Sequence, residues 1–373
     1  FERLADRLRA LLRLGPRVET QAPAPPRPGQ RERGSVDHVI LLDGTMGSLN
    51  PGQETHIGAI WHLLRGQRSA HLSLYYDPGT QWEAWRQIAD VAMGRGINDQ
   101  IRGAYGWLAT RYRPGDRVFL LGYSRGAYAV RSLAGIIDQV GLVEHRHATE
   151  RNVRLAWRYY QSPDVRPAEA VFVRRFCHKA PEIEMIGVFD TVKALGVRLP
   201  FLWMWTEPQH EFHNHALGKT IRHGYHALAL DERRAAFNPI LWDTTGREND
   251  TGPDWSGRVE QVWFRGAHGD VGGQLSGLET ARPLSNIPLV WMLERAEVRG
   301  LSLPAGWRTR FPTDPAAPSV GMNRGWGKAF LLRAKRVVGA DPSERLHVSV
   351  GAGGGGGSPL PAPATLHAGA ERR

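Results

Sequence analysis

Residues 117–135 read Arg117-Val-Phe-Leu-Leu-Gly122-Tyr-Ser124-Arg-Gly126-Ala-Tyr-Ala-Val-Arg-Ser-Leu-Ala-Gly135. The pattern predicts a short buried strand, a sharp turn carrying Ser124 between two glycines, and a helix. Val118 to Leu121 is a continuous apolar run after the turn Pro114-Gly115-Asp116, and Ala127, Val130, Leu133, Ala134 and Ile137 recur at helical spacing. Strand, Gly-x-Ser-x-Gly and helix in that order form a nucleophile elbow. The turn strains the serine backbone and packs strand against helix, so side chains two residues either side must be absent.

Working outward, strands and helices alternate. Val39 to Leu42 reads as a strand ending in Asp43-Gly44-Thr45, His56 to Arg65 as a helix, and His71 to Tyr76 as a strand running into Asp77-Pro78-Gly79. Residues 95–112 form an amphipathic helix before the elbow. After it come a strand at Ile183 to Phe189, a helix at Tyr225 to Asp231, a strand at Gln261 to Phe264 and a helix at Pro288 to Arg299. This order predicts an α/β fold, α/β-hydrolase-like, with a mostly parallel central sheet flanked by helices and functional residues at the strand C-termini. Residues 1–35 read as an amphipathic helix with a Pro-rich linker, 36–350 as the catalytic domain, and 351–373 as a disordered Gly, Pro and Ala tail. The amphipathic helix reads as a docking element or the remnant of an upstream segment before a membrane anchor.

Composition narrows the function classes. The single Cys177 excludes an intramolecular disulfide framework and a cysteine-rich metal site. No run of about 18 apolar residues appears, so no transmembrane segment is expected. The net charge of +11 comes mostly from scattered Arg beside abundant Ala, Gly and Pro, the signature of codon bias, and no nucleic-acid module is present. Peripheral contact with anionic phospholipid headgroups fits this charge better than nucleic acid does. His210, His213 and His215 sit in an aromatic stretch at 199–215 that reads as a lid, an acyl-binding wall or ordinary packing, and without an acidic ligand pattern they do not make a metal site.

A serine hydroxyl becomes a nucleophile when a histidine takes its proton, and the histidine needs a carboxylate to fix its tautomer. On this fold the chain order is Ser, acid, His. Asp190 follows the strand Ile183 to Phe189, and His268 lies in the glycine-rich loop after Gln261 to Phe264, so Ser124, Asp190 and His268 are the expected triad. Asp190 could instead cap a helix. His223 and His226, in the helical-looking, amphipathic stretch from Ile221 to Arg233, are the rival histidines, and Asp270 is the secondary acid. The oxyanion hole is expected from the backbone of Arg125 with Gly44 and Thr45. Asp43 of Asp43-Gly44-Thr45 is similar to an aspartyl-phosphatase motif, but Leu41 stands where that nucleophile would be, leaving a turn-stabilising carboxylate as the other reading.

Seven ordered motifs carry a family resemblance: Leu-Asp-Gly-Thr at 42–45, Tyr-Asp-Pro-Gly at 76–79, Gly-Tyr-Ser-Arg-Gly-Ala-Tyr at 122–128, Gly-Val-Phe-Asp-Thr-Val at 187–192, Tyr-His-Ala-Leu-Ala-Leu-Asp-Glu-Arg at 225–233, Val-Trp-Phe-Arg-Gly-Ala-His-Gly-Asp-Val-Gly-Gly at 262–273 and His-Val-Ser-Val at 347–350. Over about residues 36–350 the chain resembles the bacterial and fungal α/β-hydrolase domain family, formerly of unknown function, that includes type VI secretion phospholipase effectors. The resemblance implies a lipid-ester hydrolase without an obligatory cofactor, with Ser124 as nucleophile and Asp190 and His268 as its partners. It also implies a phospholipid or other acyl-ester substrate and, for effector members, a secretion adaptor or immunity protein as partner. A cytoplasmic location, with export by a type VI system, follows from the same likeness. Phe189, Met46-Gly47 and Gly269 depart from the residues usual in the family. A soluble esterase or thioesterase, and a catalytically silent binding domain on the same scaffold, are the alternative readings.

Overall fold

The computed structural model describes residues 19–21, 34–67, 69–79, 95–162, 166–178, 181–192, 217–245, 257–322 and 332–351. Its centre is an eight-stranded sheet in the order β1-β3-β2-β4-β5-β6-β7-β8. The strands are β1 (Glu19–Gln21), β2 (Asp37–Leu42), β3 (Leu72–Asp77), β4 (Arg117–Tyr123), β5 (Ile183–Phe189), β6 (Ile221–Ala229), β7 (Val259–Phe264) and β8 (Glu344–Leu346). Among the described strands only β1 runs antiparallel, pairing with β3 at one edge; the other neighbours are parallel.

Both faces of the central sheet are covered, which is why β2, β4 and β5 read as near-continuous apolar runs. Every residue of β2 is buried. Ile40 and Leu42 join one core with α2 (Arg95–Ala109), α3 (Arg125–Gln139) and α4 (Glu150–Gln161), whereas Val39 and Leu41 join a second core with α1 (His56–Arg65) and α7 (Arg282–Val298). The period-two alternation of side chains along the strand thus splits the core into two layers. Helix α5 (Arg166–Phe176) packs at the first layer, and the short α6 (His268–Gly272) follows β7.

Local chemistry sets the element ends. Thr55 caps α1 by accepting from the Gly58 amide at 3.2 Å, and Thr149 caps α4 through the Asn152 amide at 3.3 Å. At the N-terminal end of the sheet, Asp116 receives the Val36 amide at 3.0 Å and stands 2.9 Å from His38 Nε2, pinning β2 beside the entry to β4.

Two expectations change. The run at 225–231 is not helical: Tyr225 to Ala229 belongs to strand β6, fully buried between β5 and β7. A short apolar run covered on both faces has no periodicity that separates strand from helix. Glu19–Gln21, within the segment 1–35 read as an amphipathic helix and Pro-rich linker, is an edge strand, register Glu19 opposite Tyr76. The helix expected at 1–15, the aromatic and histidine stretch at 199–215 and the tail beyond 351 lie outside the described residues.

Candidate active site

The elbow is built as its glycines require. Ser124 has φ 56° and ψ −117°, a left-handed backbone costly for a side-chain-bearing residue. Its amide donates to the Phe189 carbonyl at 3.0 Å, tying the turn to the end of β5. A Cβ on Gly122 would come within 2.5 Å of the Gly126 carbonyl oxygen, and one on Gly126 would lie 2.5 Å from the Asp43 carbonyl oxygen. Neither position can accept a side chain without moving backbone.

Three sequence-distant side chains meet at this rim. His268 Nε2 lies 2.9 Å from Ser124 Oγ, and His268 Nδ1 lies 2.6 Å from Asp190 Oδ2. All three residues are buried. Asp190 is not a helix cap; it stands at the end of β5 with φ 44°, and its amide donates to the Ala227 carbonyl at 2.7 Å. The short α6 begins at His268. The imidazole is boxed by the Tyr123 ring at 4.9 Å and the Phe237 ring at 4.8 Å.

Asp190 is saturated as an acceptor. Oδ1 takes the Ala229 amide at 3.0 Å and Arg336 Nη1 at 2.5 Å, while Oδ2 takes Arg336 Nη2 at 2.9 Å in addition to His268. Burial pushes its carboxyl up, but the Arg336 guanidinium and His268 outweigh that and hold it well below the usual carboxylate range. The carboxylate is therefore ionised at neutral pH. Glu232 supports the histidine from behind, accepting the His268 amide at 3.1 Å while Arg234 Nη2 sits 2.6 Å from the same carboxylate oxygen.

The secondary candidates take other places. Asp270 accepts the Ala267 amide at 2.8 Å, the Ser319 hydroxyl at 2.6 Å and the Val320 amide at 2.7 Å, so it orders its own loop. His226 accepts the Thr191 amide at 3.1 Å, and burial pushes its imidazole down to about 3, leaving it neutral. Asp43 is buried beneath the first loop, where Oδ2 accepts the hydroxyls of Thr55 at 2.6 Å and Tyr76 at 2.9 Å. Burial pushes its carboxyl up to about 7 against those hydrogen bonds.

For Gly44 the oxyanion expectation needs correction. Its amide donates to Asp43 Oδ1 at 2.7 Å and is already engaged. Gly44 instead gives steric room, since a Cβ there would stand 3.1 Å from Ser124 Cβ. Gly79, with φ 69°, lies so close under this loop that a Cβ would meet the Asp43 and Gly44 carbonyl oxygens at 2.6 Å. The Arg125 backbone follows Ser124 directly, and Thr45 is the next residue of the first loop, its carbonyl accepting from Gln274 Nε2 at 3.2 Å.

The Arg125 side chain is half-buried at the start of α3. Its Nη2 is buried with no hydrogen-bond partner among the described residues, and burial pushes the guanidinium down to about 10. No cluster of His, Cys, Asp and Glu suited to a metal occurs among the described residues. A separate cleft of about 440 Å³ between α1 and α7, lined by Glu54, His62, Arg282 and Phe311, contains none of the three residues.

Sequence reasoning missed Arg336, Glu232 and Phe237. Glu232 lay inside a quoted motif, but nothing in the local pattern of Lys335-Arg336-Val337 signals a partner for the acid.

Residues 37–295 match the family described as the type VI secretion system phospholipase effector Tle1-like catalytic domain. The chain belongs to this family. That family is described as the catalytic domain of phospholipase effectors. An uncharacterized protein of Saccharomyces cerevisiae is 26% identical over 241 residues, 58% of this chain and 34% of that protein. The chain thus spans about a third of the length of that curated relative. Among solved structures, an uncharacterized Pseudomonas aeruginosa protein is similar with a TM-score of 0.41 and 16% identity, covering 75% of this chain and 49% of the other. A Tle1 effector bound to the VgrG spike gives 0.34 and 16%, covering 65% and 51%. Esterase 2 of Thermogutta terrifontis gives 0.38 and 11%, covering 77% and 91%. No helix among the described residues is long and apolar enough to cross a membrane.

Proposed function

We propose that this Tle1-like domain is a serine hydrolase that cleaves the acyl ester of phospholipids through an acyl-enzyme. The observation that carries the reading is the hydrogen-bonded chain from Ser124 Oγ through His268 to Asp190, at 2.9 and 2.6 Å. Ser124 Oγ attacks the ester carbonyl while His268 Nε2 takes its proton, and Asp190 holds the imidazole in the tautomer with Nδ1 protonated and stabilises the imidazolium. The oxyanion meets the backbone amides of Arg125 and Thr45. His268 then returns the proton to the leaving lysolipid alcohol. Water, deprotonated by the same imidazole, releases the fatty acid and restores Ser124. Metal or cofactor is not needed for this sequence of steps.

Arg125 favours a phospholipid over a neutral ester. Arg125 Nη2 is buried without a hydrogen-bond partner among the described residues, which is costly for a charged group, and an anionic substrate group bound there would offset that cost. Export by a type VI system, with a spike or adaptor protein as partner and an immunity protein in the producing cell, belongs to the same proposal and rests on family membership.

The test is acyl release from phosphatidylglycerol and phosphatidylcholine vesicles beside short p-nitrophenyl esters, with wild type and Ser124→Ala. Release from vesicles by the wild type and its loss in the variant are expected. Turnover of monomeric esters alone would point to the soluble esterase reading, and undiminished release by Ser124→Ala would remove the nucleophile assignment.

A further inference from the structure

Arg336 lies beyond the stretch that matches the family, yet its guanidinium is the most heavily engaged group around the acid. Nη1 and Nη2 each meet one oxygen of Asp190, at 2.5 and 2.9 Å. The same two nitrogens donate to the Ala229 carbonyl at 2.8 Å and the Phe237 carbonyl at 2.5 Å. Its side chain is 2% exposed and that of Asp190 is fully buried. The segment carrying it is fastened to the loop after β6: Ala235 donates its amide to Leu332, Ala334 donates to Arg233, and Arg234 pairs with Arg333 in an antiparallel bridge. That loop also supplies Phe237 against the His268 ring and Glu232 against its amide. One cation therefore clasps β5, β6 and the loop behind the histidine together.

Two physical consequences follow from this placement. A planar, two-pronged donor holds both carboxylate oxygens, so the carboxylate cannot rotate and Oδ2 stays directed at Nδ1; an ammonium on a flexible stem cannot impose the same constraint. The guanidinium charge also opposes the gain of a proton by the Asp190 and His268 pair. The other groups facing the pair do not duplicate this effect. Glu232 and Arg234 neutralise one another, His226 is neutral, and Tyr123, donating to the His268 carbonyl at 3.3 Å, has its phenol raised well above its ordinary value by burial.

We propose that Arg336 is a positioning residue of the hydrolytic site, which locks the Asp190 carboxylate toward His268 and keeps the pair unprotonated at working pH. This proposal rests on the reading of Ser124, His268 and Asp190 as the catalytic set. It makes the segment around 332–338 a working part of the enzyme.

The experiment uses the full chain. Wild type, Arg336→Met, Arg336→Lys and Ser124→Ala are compared for kcat and KM on a short p-nitrophenyl ester from pH 5 to 10, with thermal unfolding recorded for each. Arg336→Met is expected to lower kcat about 10- to 100-fold with KM within about twofold. The acidic limb of kcat/KM should move up by about one pH unit, because the pair, whichever member holds the proton, protonates more readily without the cation. Arg336→Lys should keep the wild-type limb and recover part of kcat. If Arg336→Met does not fold, Arg336→Gln, which is polar but uncharged and shorter, carries the same pH comparison. A limb unmoved in the neutral variants, or lysine and neutral variants with the same profile, overturns the proposal. An active Ser124→Ala removes the underlying reading and the proposal with it; an inactive Ser124→Ala beside unaffected Arg336 variants removes the proposal alone.

Discussion

Gly126→Ala adds one methyl group at the point where α3 starts against the end of β2. The new Cβ would overlap the Leu42 carbonyl oxygen and stand 2.5 Å from the Asp43 carbonyl oxygen and 2.6 Å from the Leu42 carbonyl carbon. All three are backbone atoms at the buried end of β2 and the first residue after it, so relief requires β2 and α3 to separate by about 1 Å, at about 3 kcal/mol. The same shift carries Asp43-Gly44-Thr45 away from Ser124, and misplacement on that scale costs about 100-fold in turnover. Gly135→Ala is the control, because it makes the same chemical change in the same helix. Its Cβ would meet the tip of the Tyr160 ring, at 2.9 Å from the hydroxyl and 3.2 Å from Cε2, and a side chain can yield where a strand cannot. The helix-propensity gain of about 1 kcal/mol offsets that adjustment. Urea unfolding and ester hydrolysis measured on both variants should show Gly126→Ala destabilised and nearly inactive and Gly135→Ala within about 1 kcal/mol of wild type. Equal behaviour of the two would refute the close approach of elbow and oxyanion loop.

Further outcomes follow from the buried charges. Asp43 holds its proton up to about 7 in the folded chain against an ordinary value of 3.8, so the folded state binds more protons than the unfolded one between those values. Stability should therefore fall as pH rises from about 4 to 7, by at most about 4 kcal/mol through this group, and Asp43→Asn should flatten that slope in unfolding curves. An unchanged slope would mean Asp43 titrates normally. Arg125→Met should lower kcat/KM on anionic phospholipid vesicles about tenfold more than on a short neutral ester; equal losses on both substrates would deny the guanidinium a role in recognising the phosphate.

The elbow was legible because its constraints are local. Gly122, Ser124 and Gly126 impose their geometry within five residues, and the flanking strand and helix show in the spacing of apolar side chains. The strand-end position of Asp190 and the place of His268 just after β7 followed from the alternating order of elements, although His268 opens a short helix and not a loop, and the fold brings both residues to Ser124. Whether Asp190 capped a helix was open until its φ of 44° and its contacts were visible. Long-range information was not legible. Arg336 meets an acid 146 residues earlier, and no periodicity encodes such a pair. The run at 225–231 reads as a helix because Ala227, Leu228 and Ala229 suit either structure once both faces are buried, and the polar triplet of β1 carries no apolar signal. The engagement of the Gly44 amide by Asp43 depends on a side-chain rotamer that sequence cannot specify.

The account stands on Ser124 being activated by His268. Labelling of the intact chain with a fluorophosphonate probe, followed by peptide mapping, tests this most directly. The predicted result is a single adduct on Ser124 in the wild type, absent in Ser124→Ala and slowed at least 100-fold in His268→Ala. A wild-type chain that is folded yet unlabelled, or an adduct formed as fast without the imidazole, would contradict it.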